Sequence, residues 1–217
     1  MDVIYLVKMS LRIIEREMQF SNIARKHKMI KTKKDYETYL EFDKKALGIT
    51  KSKPSFLGDE IWKYEIELRT GEYLQNCKPL FWKVRFLWHR FKFYYLGILC
   101  CGYCVPYNVC EEGLALVHLG PIIINSGAKI GHNCRIHSGV TIGATNGSDK
   151  AATIGNNVFI SSGATIIGEV RIGDNAAIGA NALVIKDVAK SVTVGGVPAK
   201  VISQHDSSSN MVKLKNY

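Results

Sequence analysis

Long apolar runs are missing from this 217-residue sequence, and so is any pattern that would direct the chain out of the cell. No stretch of about 18 or more consecutive apolar residues occurs, which argues against a membrane-spanning helix. Charges interrupt the apolar residues of positions 1–20, and no small-residue cleavage site follows them, so no secretory signal is predicted. We therefore expect a cytoplasmic protein.

The cysteines lack the spacing of a disulfide framework or of a complete zinc site. We expect reduced thiols, as is usual in a cytosol. Cys101 and Cys104 have the spacing of half a zinc site, but a second matching pair is missing and the neighbours are aromatic and apolar. We predict no metal site. The six cysteines are Cys77, Cys100, Cys101, Cys104, Cys110 and Cys134.

Acidic residues are outnumbered, with 19 Asp and Glu against 29 Lys and Arg, for a formal net charge of +10. This excess favours an anionic partner: a phosphorylated cofactor, an acidic lipid surface or nucleic acid. No nucleic-acid-binding motif accompanies the charge, so we do not expect nucleic acid as a partner.

An internal repeat of six residues governs the second half of the chain. Glycine and asparagine recur between the repeated aliphatics, where tight corners need left-handed backbone angles. A period of six differs from the 3.6 of a helix and the 2 of an ordinary strand. It predicts short strands joined by corners, wound into a β-helix whose aliphatics stack from coil to coil. The skipped position, Ser148, lies in a loop that replaces one repeat and keeps the phase. The repeated aliphatics are Ile124, Ile130, Ile136, Ile142, Ile154, Ile160, Ile166, Ile172, Ile178 and Val184.

Residues 106–202 resemble the left-handed parallel β-helix acyltransferases, and within them the serine acetyltransferases. The motifs that carry the resemblance are GLALVH (113–118), AKIG (128–131), VTIGA (140–144) and the closing GGVPAK (195–200). The resemblance implies a mainly β protein: a left-handed parallel β-helix of hexapeptide repeats over 106–202, with an N-terminal α-helical region over 1–105. It also implies acetyl-CoA as donor and a homotrimer that binds the donor between subunits. We expect a flexible tail over 203–217.

The resemblance places the catalytic histidine at His118. A neutral imidazole can take the proton of a hydroxyl group as its oxygen attacks a thioester, with no acyl-enzyme. A coil-capping role is the alternative for His118. His137, about one coil further on, is predicted to bind the acceptor or assist the base, with a surface histidine as the alternative. Donor binding is assigned to the oxyanion-donating backbone near Gly143 and Ala144, and to Ser162, Gly163, Ala180 and Lys200.

Three positions depart from the serine acetyltransferase pattern. Tyr103 stands where that family has the aspartate that orients the histidine. Val117 replaces an acidic residue that helps to hold serine, and Ala151 replaces a second histidine. These changes remove polar groups that would grip a zwitterion.

The departures lead us to expect a sugar hydroxyl as acceptor, on a small molecule or a lipid-linked sugar, in polysaccharide biosynthesis. We assign Tyr103, with His137, to the acceptor site. Serine O-acetylation in cysteine biosynthesis and a non-catalytic hexapeptide-repeat scaffold are the alternatives. Glu111 or Glu112 is the alternative group to orient His118.

The front of the chain reads as helices, with a linker over residues 51–60. Residues 78–99 combine five Lys and Arg with eight aromatics and no acid, a composition that suits a basic amphipathic helix at a membrane interface. Two interpretations stay open for this segment. It contacts the inner face of the membrane, or it packs its aromatics against the first coil.

Overall fold

The computed structural model describes residues 27–77, 83–145 and 147–212. Helices form the front of the described chain: α1 Lys33–Ala46, α2 Glu60–Cys77 and α3 Lys83–Tyr94, which continues into a π-helical segment, Tyr95–Cys101. Short strands follow: β1 Tyr103–Cys104, β2 Ala115–Val117, β3 Ile122–Ile124, β4 Lys129–Ile130, β5 Arg135–His137, β6 Thr141–Gly143, β7 Thr153–Ile154, β8 Phe159–Ile160, β9 Thr165–Ile167, β10 Arg171–Ile172, β11 Ala177–Ile178, β12 Leu183–Val184, β13 Thr193–Gly195 and β14 Lys200–Ser203.

The strands form three parallel sheets, which are the three faces of a β-helix. Face A contains β1, β3, β6, β9 and β12 in that order, and face B contains β4, β7 and β10. Face C runs β2, β5, β8, β11, β13 and β14, and only the β13–β14 pair in it is antiparallel. The predicted β-helix with an N-terminal helical region is thus confirmed.

The register explains the loop around Ser148. Leu183 pairs with Thr165, and Ala177 with Phe159, so a regular coil takes 18 residues. Arg135 pairs instead with Phe159, 24 residues on, because that coil contains the loop. The loop therefore adds six residues and leaves the aliphatic phase unchanged.

The ten repeated aliphatics are all buried and stack in three columns, one on each face. Each contributes about 1.5–3 kcal/mol by leaving water. The corners are held by asparagines in the left-handed region, at φ +52° for Asn133, +54° for Asn157 and +58° for Asn175. Their side chains form a ladder, because Asn133 donates to Asn157 at 2.8 Å and Asn157 to Asn175 at 3.1 Å. The corner prediction is confirmed at these positions.

Buried carboxylates of the helical layer close the open edge of face C. β2 is the terminal strand of that face, so its backbone N–H groups need partners from elsewhere. Asp43 accepts hydrogen bonds from the N–H groups of Gly113 and Leu114, and Glu65 accepts one from Leu116 at 2.9 Å. Arg69 compensates the charge by pairing with Asp43 at 2.6 Å. The helical layer is thereby fixed to the first coil.

Both predicted boundaries of the β-helix need correction. Tyr103 already pairs with Ile122, so the sheet begins before residue 106. The tail is ordered through its first part: β14 pairs with β13, and the hydroxyl of the buried Ser207 donates to the carbonyl of Asn157 at 2.5 Å. The flexible-tail prediction is therefore wrong for 203–210, and residues 213–217 lie outside the described part.

The segment 78–99 turns out to have two faces. Phe86, Phe93 and Leu96 pack inward on the core, and the ring of Phe93 lies 4.8 Å from that of Tyr64. Other aromatics of the same helix are exposed, Trp88 and Phe91 among them. Residues 78–82 of the segment lie outside the described part. Among the described residues, the structure contains no helix that is long and apolar enough to cross a membrane.

Candidate functional site

Four of the predicted site residues, His118, Ser162, Gly163 and Ala180, lie on one corner of the β-helix. We call it the C–A corner: the turns 118–121, 138–140, 161–164 and 179–182, which connect face C to face A. These turns stack through backbone hydrogen bonds, from Gly163 to the carbonyl of Ser138 at 3.1 Å and from Asn181 to that of Ser162 at 2.9 Å. The corner forms a continuous edge along the helix axis.

His118 lies at the start of this edge, in the first coil, directly after β2. Its φ is +66°, a left-handed conformation that is uncommon for a residue with a side chain. The hydroxyl of the buried Tyr103 donates to the carbonyl oxygen of His118 at 2.8 Å, which holds this conformation. Strained backbone of this kind concentrates at functional sites.

His137 lies beside His118 on the next coil. The register pairs Val117 with His137, and the ring centroids of the two histidines are 5.4 Å apart in an edge-on arrangement. Phe159 supports the His137 ring from the other side, at 5.1 Å. Burial lowers the pKa of His137, and the positive charge of Arg135 adds to this effect. Both effects disfavour the charged form of His137.

A pocket of about 340 Å³ opens beside His118. One wall comes from β2, the following corner and Arg135, and the other comes from the end of α1 and the start of α2, including the buried Trp62. Asp59 and Glu60 also line it. The carboxylate of Asp59 binds the N–H of Ser55 at 2.8 Å and Lys51 at 2.9 Å, which lowers its pKa to about 2.

Three of the predicted donor-binding residues, Ser162, Gly163 and Ala180, lie on the C–A corner. Gly163 has φ +72°, and a Cβ atom there would lie 2.1 Å from the side-chain oxygen of Asn181, so the coil spacing requires glycine. Lys200 begins β14 and pairs with Gly195 beyond the end of the same corner, where it is exposed. The small residues therefore give this edge a surface of short side chains. The ammonium group of Lys200 belongs to the strand that follows its far end.

Gly143 and Ala144 lie elsewhere. They end β6 on face A, at the corner that leads away from face C, whereas His118 lies where face C enters face A. The structure therefore does not bring them beside His118 within one chain.

The two glutamates proposed to orient His118 do not reach it. Glu111 accepts from the backbone N–H of Lys28 at 3.0 Å, and Glu112 pairs with the Lys28 ammonium. Both precede β2, whereas His118 follows it, so that alternative is wrong. Tyr103 is buried, and its hydroxyl donates to the backbone carbonyl of His118. Its observed contact is therefore with His118 and not with the pocket.

No sequence pattern indicated that helices form one wall of the pocket. Residues 51–60 look like a linker, and Trp62 looks like an ordinary core aromatic of α2. Arg135 was also missed, since its role depends on the carbonyl of Ala46, to which it donates at 3.4 Å across 89 residues. Within the described ranges, no cluster of three or more His, Cys, Asp or Glu could hold a metal ion.

Comparison with known proteins agrees with this architecture. Residues 151–186 match the bacterial transferase hexapeptide (six repeats) family. A serine acetyltransferase of Mycobacterium tuberculosis is 39% identical over 93 residues, which are 42% of this chain and 41% of that protein. This chain thus aligns with less than half the length of such relatives.

Solved structures give a longer match. The serine acetyltransferase of Neisseria gonorrhoeae superposes with a TM-score of 0.62 at 28% identity, over 79% of this chain and 68% of that one. The serine acetyltransferase of Brucella abortus strain S19, solved in complex with coenzyme A, has a TM-score of 0.60 at 25% identity, over 80% and 70% of the two chains. The likeness therefore includes much of the helical layer as well as the coils.

Proposed function

We propose that this chain, which has the left-handed β-helix fold of the hexapeptide-repeat acyltransferases, is an acetyl-CoA-dependent O-acetyltransferase with His118 as its general base. The observation that supports this best is the placement of His118, which lies on the C–A corner in a left-handed conformation, lines a pocket and contacts the ring of His137. The similarity to serine acetyltransferases, one of them solved with coenzyme A, supports the same donor here.

The reaction is a direct transfer in this proposal. The His118 imidazole takes the proton of the acceptor hydroxyl as its oxygen attacks the carbonyl carbon of the thioester. When the tetrahedral intermediate collapses, the carbon–sulfur bond breaks, and the proton on His118 passes to the departing sulfur. The products are the acetyl ester and free coenzyme A, and no oxidant or metal is needed.

The donor site is proposed to form between copies of the chain, in a homotrimer. Ser162, Gly163 and Ala180 line the C–A corner, with Lys200 beyond its end, whereas Gly143 and Ala144 lie on a different corner. One chain cannot place both sets against the same ligand, but two adjacent chains around a three-fold axis can. The backbone at Gly143 and Ala144 would then donate to the oxyanion from the neighbouring copy.

Serine is the acceptor that the comparisons favour, because the relatives are named for it. The pocket has charges of both signs on its walls, with Arg135 on one side and Glu60 on the other. Such a pair suits the carboxylate and the ammonium of an amino acid.

A sugar hydroxyl is the second candidate acceptor, and one observation favours it. Val117 and the buried Ala151 offer no polar group, and the carboxylate of Asp59 is already engaged by Lys51 and Ser55. A site with few free charges suits a neutral hydroxyl compound better than a zwitterion. Polysaccharide biosynthesis finds no support among the relatives and stays a prediction from sequence.

An acceptor panel tests the proposal. Release of free thiol from acetyl-CoA is measured with serine, with monosaccharides and with no acceptor. Turnover with serine near that of an efficient enzyme would reject the sugar acceptor, and turnover with a sugar alone would reject serine. No thiol release with any acceptor, and none by hydrolysis, would favour the scaffold interpretation.

The His118→Ala variant tests the base. We expect its rate to fall by about 10²- to 10⁴-fold, because general-base catalysis contributes on that order. His132→Ala is the matched control, since His132 lies at the corner between faces B and C. Nearly full activity in His118→Ala, or an equal loss in the control, would remove His118 from this role.

A further inference from the structure

An apolar stripe runs along the outer side of α3 and its π-helical continuation. Its members recur at helical spacing, so they share one face: Leu87, Trp88, Phe91, Tyr94, Tyr95, Ile98 and Leu99. Trp88 is 62% exposed, Phe91 60% and Leu99 69%. We call this set the α3 stripe. A contiguous apolar surface of this kind marks an interaction site, because water disfavours it.

The opposite side of the same helix is firmly packed, so the orientation of the stripe is fixed. Phe93 stacks on Tyr64 at 4.8 Å and lies 4.9 Å from Tyr107. Glu67 of α2 binds Nδ1 of His89 at 2.7 Å and also the Lys92 ammonium. The exposed aromatics are therefore not core residues left outside by a loosely held helix.

The segment that carries the stripe has charged residues of one sign only, although Glu67 of α2 pairs with one of them, Lys92. Residues 78–101 contain five Lys and Arg and not one Asp or Glu. A second copy of this segment would meet those charges with charges of the same sign, which disfavours self-association through it. An anionic surface would meet them with opposite charge.

The aromatic content points to the kind of surface. Trp and Tyr carry an apolar ring and a polar group, and they are enriched where lipid headgroups meet acyl chains. Trp88 and Phe91 stack at 6.1 Å in the middle of the stripe, with Tyr94 and Tyr95 one turn further on. A helix with aromatics on its outer face and basic residues around it suits the plane of a membrane interface.

We propose that the α3 stripe binds the surface of an anionic phospholipid membrane. The helix lies in the interface with Trp88, Phe91 and Leu99 inserted among the acyl chains, while the basic residues of the segment attract the anionic headgroups. The binding is peripheral, and it does not depend on the acetyl-transfer proposal or on the acceptor.

Vesicle co-sedimentation of the full chain tests this. Vesicles of equal parts phosphatidylglycerol and phosphatidylcholine are expected to pellet the protein, and pure phosphatidylcholine vesicles to pellet much less. Added salt should weaken binding to the anionic vesicles, because it screens the headgroup attraction. A wild-type chain that ignores the anionic vesicles would overturn the proposal.

The double variant Trp88→Ser/Phe91→Ser assigns the binding to the stripe. We expect its vesicle affinity to fall at least about ten-fold, because two inserted rings are lost. The control is Phe56→Ser/Leu57→Ser, which removes two side chains that are 95% and 83% exposed in the loop before α2. Binding equal to wild type in the stripe variant, or an equal loss in the control, would overturn the assignment.

Sedimentation velocity without lipid tests the alternative that a second copy of the chain binds the α3 stripe. The stripe variant should keep the wild-type assembly size and thiol-release rate. A smaller assembly in the stripe variant, with no vesicle binding by the wild type, would make the stripe a contact between copies and would overturn the lipid proposal.

Discussion

At the residue scale, the proposed role of His118 as a base depends on its contacts with Tyr103 and His137. His118 holds φ at +66°, and the Tyr103 hydroxyl is the group that fixes its carbonyl. His137 sits edge-on to it, and burial lowers the pKa of His137. The family resemblance predicted His118 as the base, and the spacing of the two histidines predicted that His137 lies beside it on the next coil. It could not predict the Tyr103 contact, because that bond joins residues 15 apart that meet only once β1 pairs with β3.

Replacing Tyr103 with Phe distinguishes a positioning role from acceptor binding. If the hydroxyl acts through the His118 backbone, we expect kcat to fall roughly ten-fold, since small misplacements of a catalytic group are costly. The KM for the acceptor should stay near its wild-type value. Steady-state kinetics with varied acceptor would check this. A rise in acceptor KM at unchanged kcat would return Tyr103 to the acceptor site.

At the scale of elements, the contact between helices and the first coil rests on buried charge. Asp43, Glu65 and Arg69 come from α1 and α2, yet they serve the backbone of residues 110–116. Hydropathy patterning does not foresee such residues, because Asp, Glu and Arg normally face water. They are buried here because an edge strand without a neighbouring coil leaves N–H groups that a carboxylate can satisfy.

Glu65 makes this contact sensitive to pH. Burial raises the pKa of Glu65 well above its usual range, and the nearby Asp43 carboxylate adds to the rise. The folded chain therefore holds a proton that the unfolded chain releases. For this reason, the contribution of Glu65 to the free energy of unfolding decreases as the pH rises above the ordinary carboxyl range. Glu65→Gln keeps an acceptor for the Leu116 N–H and removes the titration.

We therefore expect the unfolding free energy of Glu65→Gln to increase relative to that of the wild type as the pH rises from about 5.5 to about 8. Urea denaturation at both pH values measures this. Glu65→Ala is the comparison: it leaves the Leu116 N–H unpaired and should lose about 1–3 kcal/mol at either pH. A constant difference between Glu65→Gln and wild type across the range would contradict a raised pKa at Glu65.

At the scale of the whole molecule, the proposed donor site requires a second copy of the chain. His118 and the small residues of the C–A corner lie on one edge of the β-helix, and Ala144 lies on another. If both sets bind the same donor, as proposed, the three-sided cross-section favours a site between two chains, whichever acceptor is used.

Complementation between two inactive variants tests that requirement. His118→Ala and Ala144→Trp should each be inactive as pure assemblies. Random mixing by co-expression should restore about a quarter of the wild-type rate, because that share of interfaces carries an intact residue from each side. Circular dichroism would verify that Ala144→Trp folds. Wild-type activity in Ala144→Trp would place Gly143 and Ala144 outside the site, and a mixture as inactive as two inactive parents would place the site within one chain.

The six-residue period by itself determined the coils, because each repeat specifies its own strand and corner through residues close together in sequence. Every Ile of the period is buried, and Asn133, Asn157 and Asn175 adopt the expected corner angles. The coil length also predicted His137 one coil beyond His118, although the register of the first coil takes 20 residues, as between Val117 and His137. These features depend on local chemistry repeated along the chain.

Only the tertiary structure decided what surrounds those coils. It brought Trp62 to the pocket, directed the Tyr103 hydroxyl to the His118 carbonyl, buried Asp43 and Glu65 at the edge of β2, and separated the inner from the outer aromatics of α3. Each of these contacts joins segments with no shared period. Their geometry depends on how a helical layer docks against the first coil, which the pattern of a single segment does not contain.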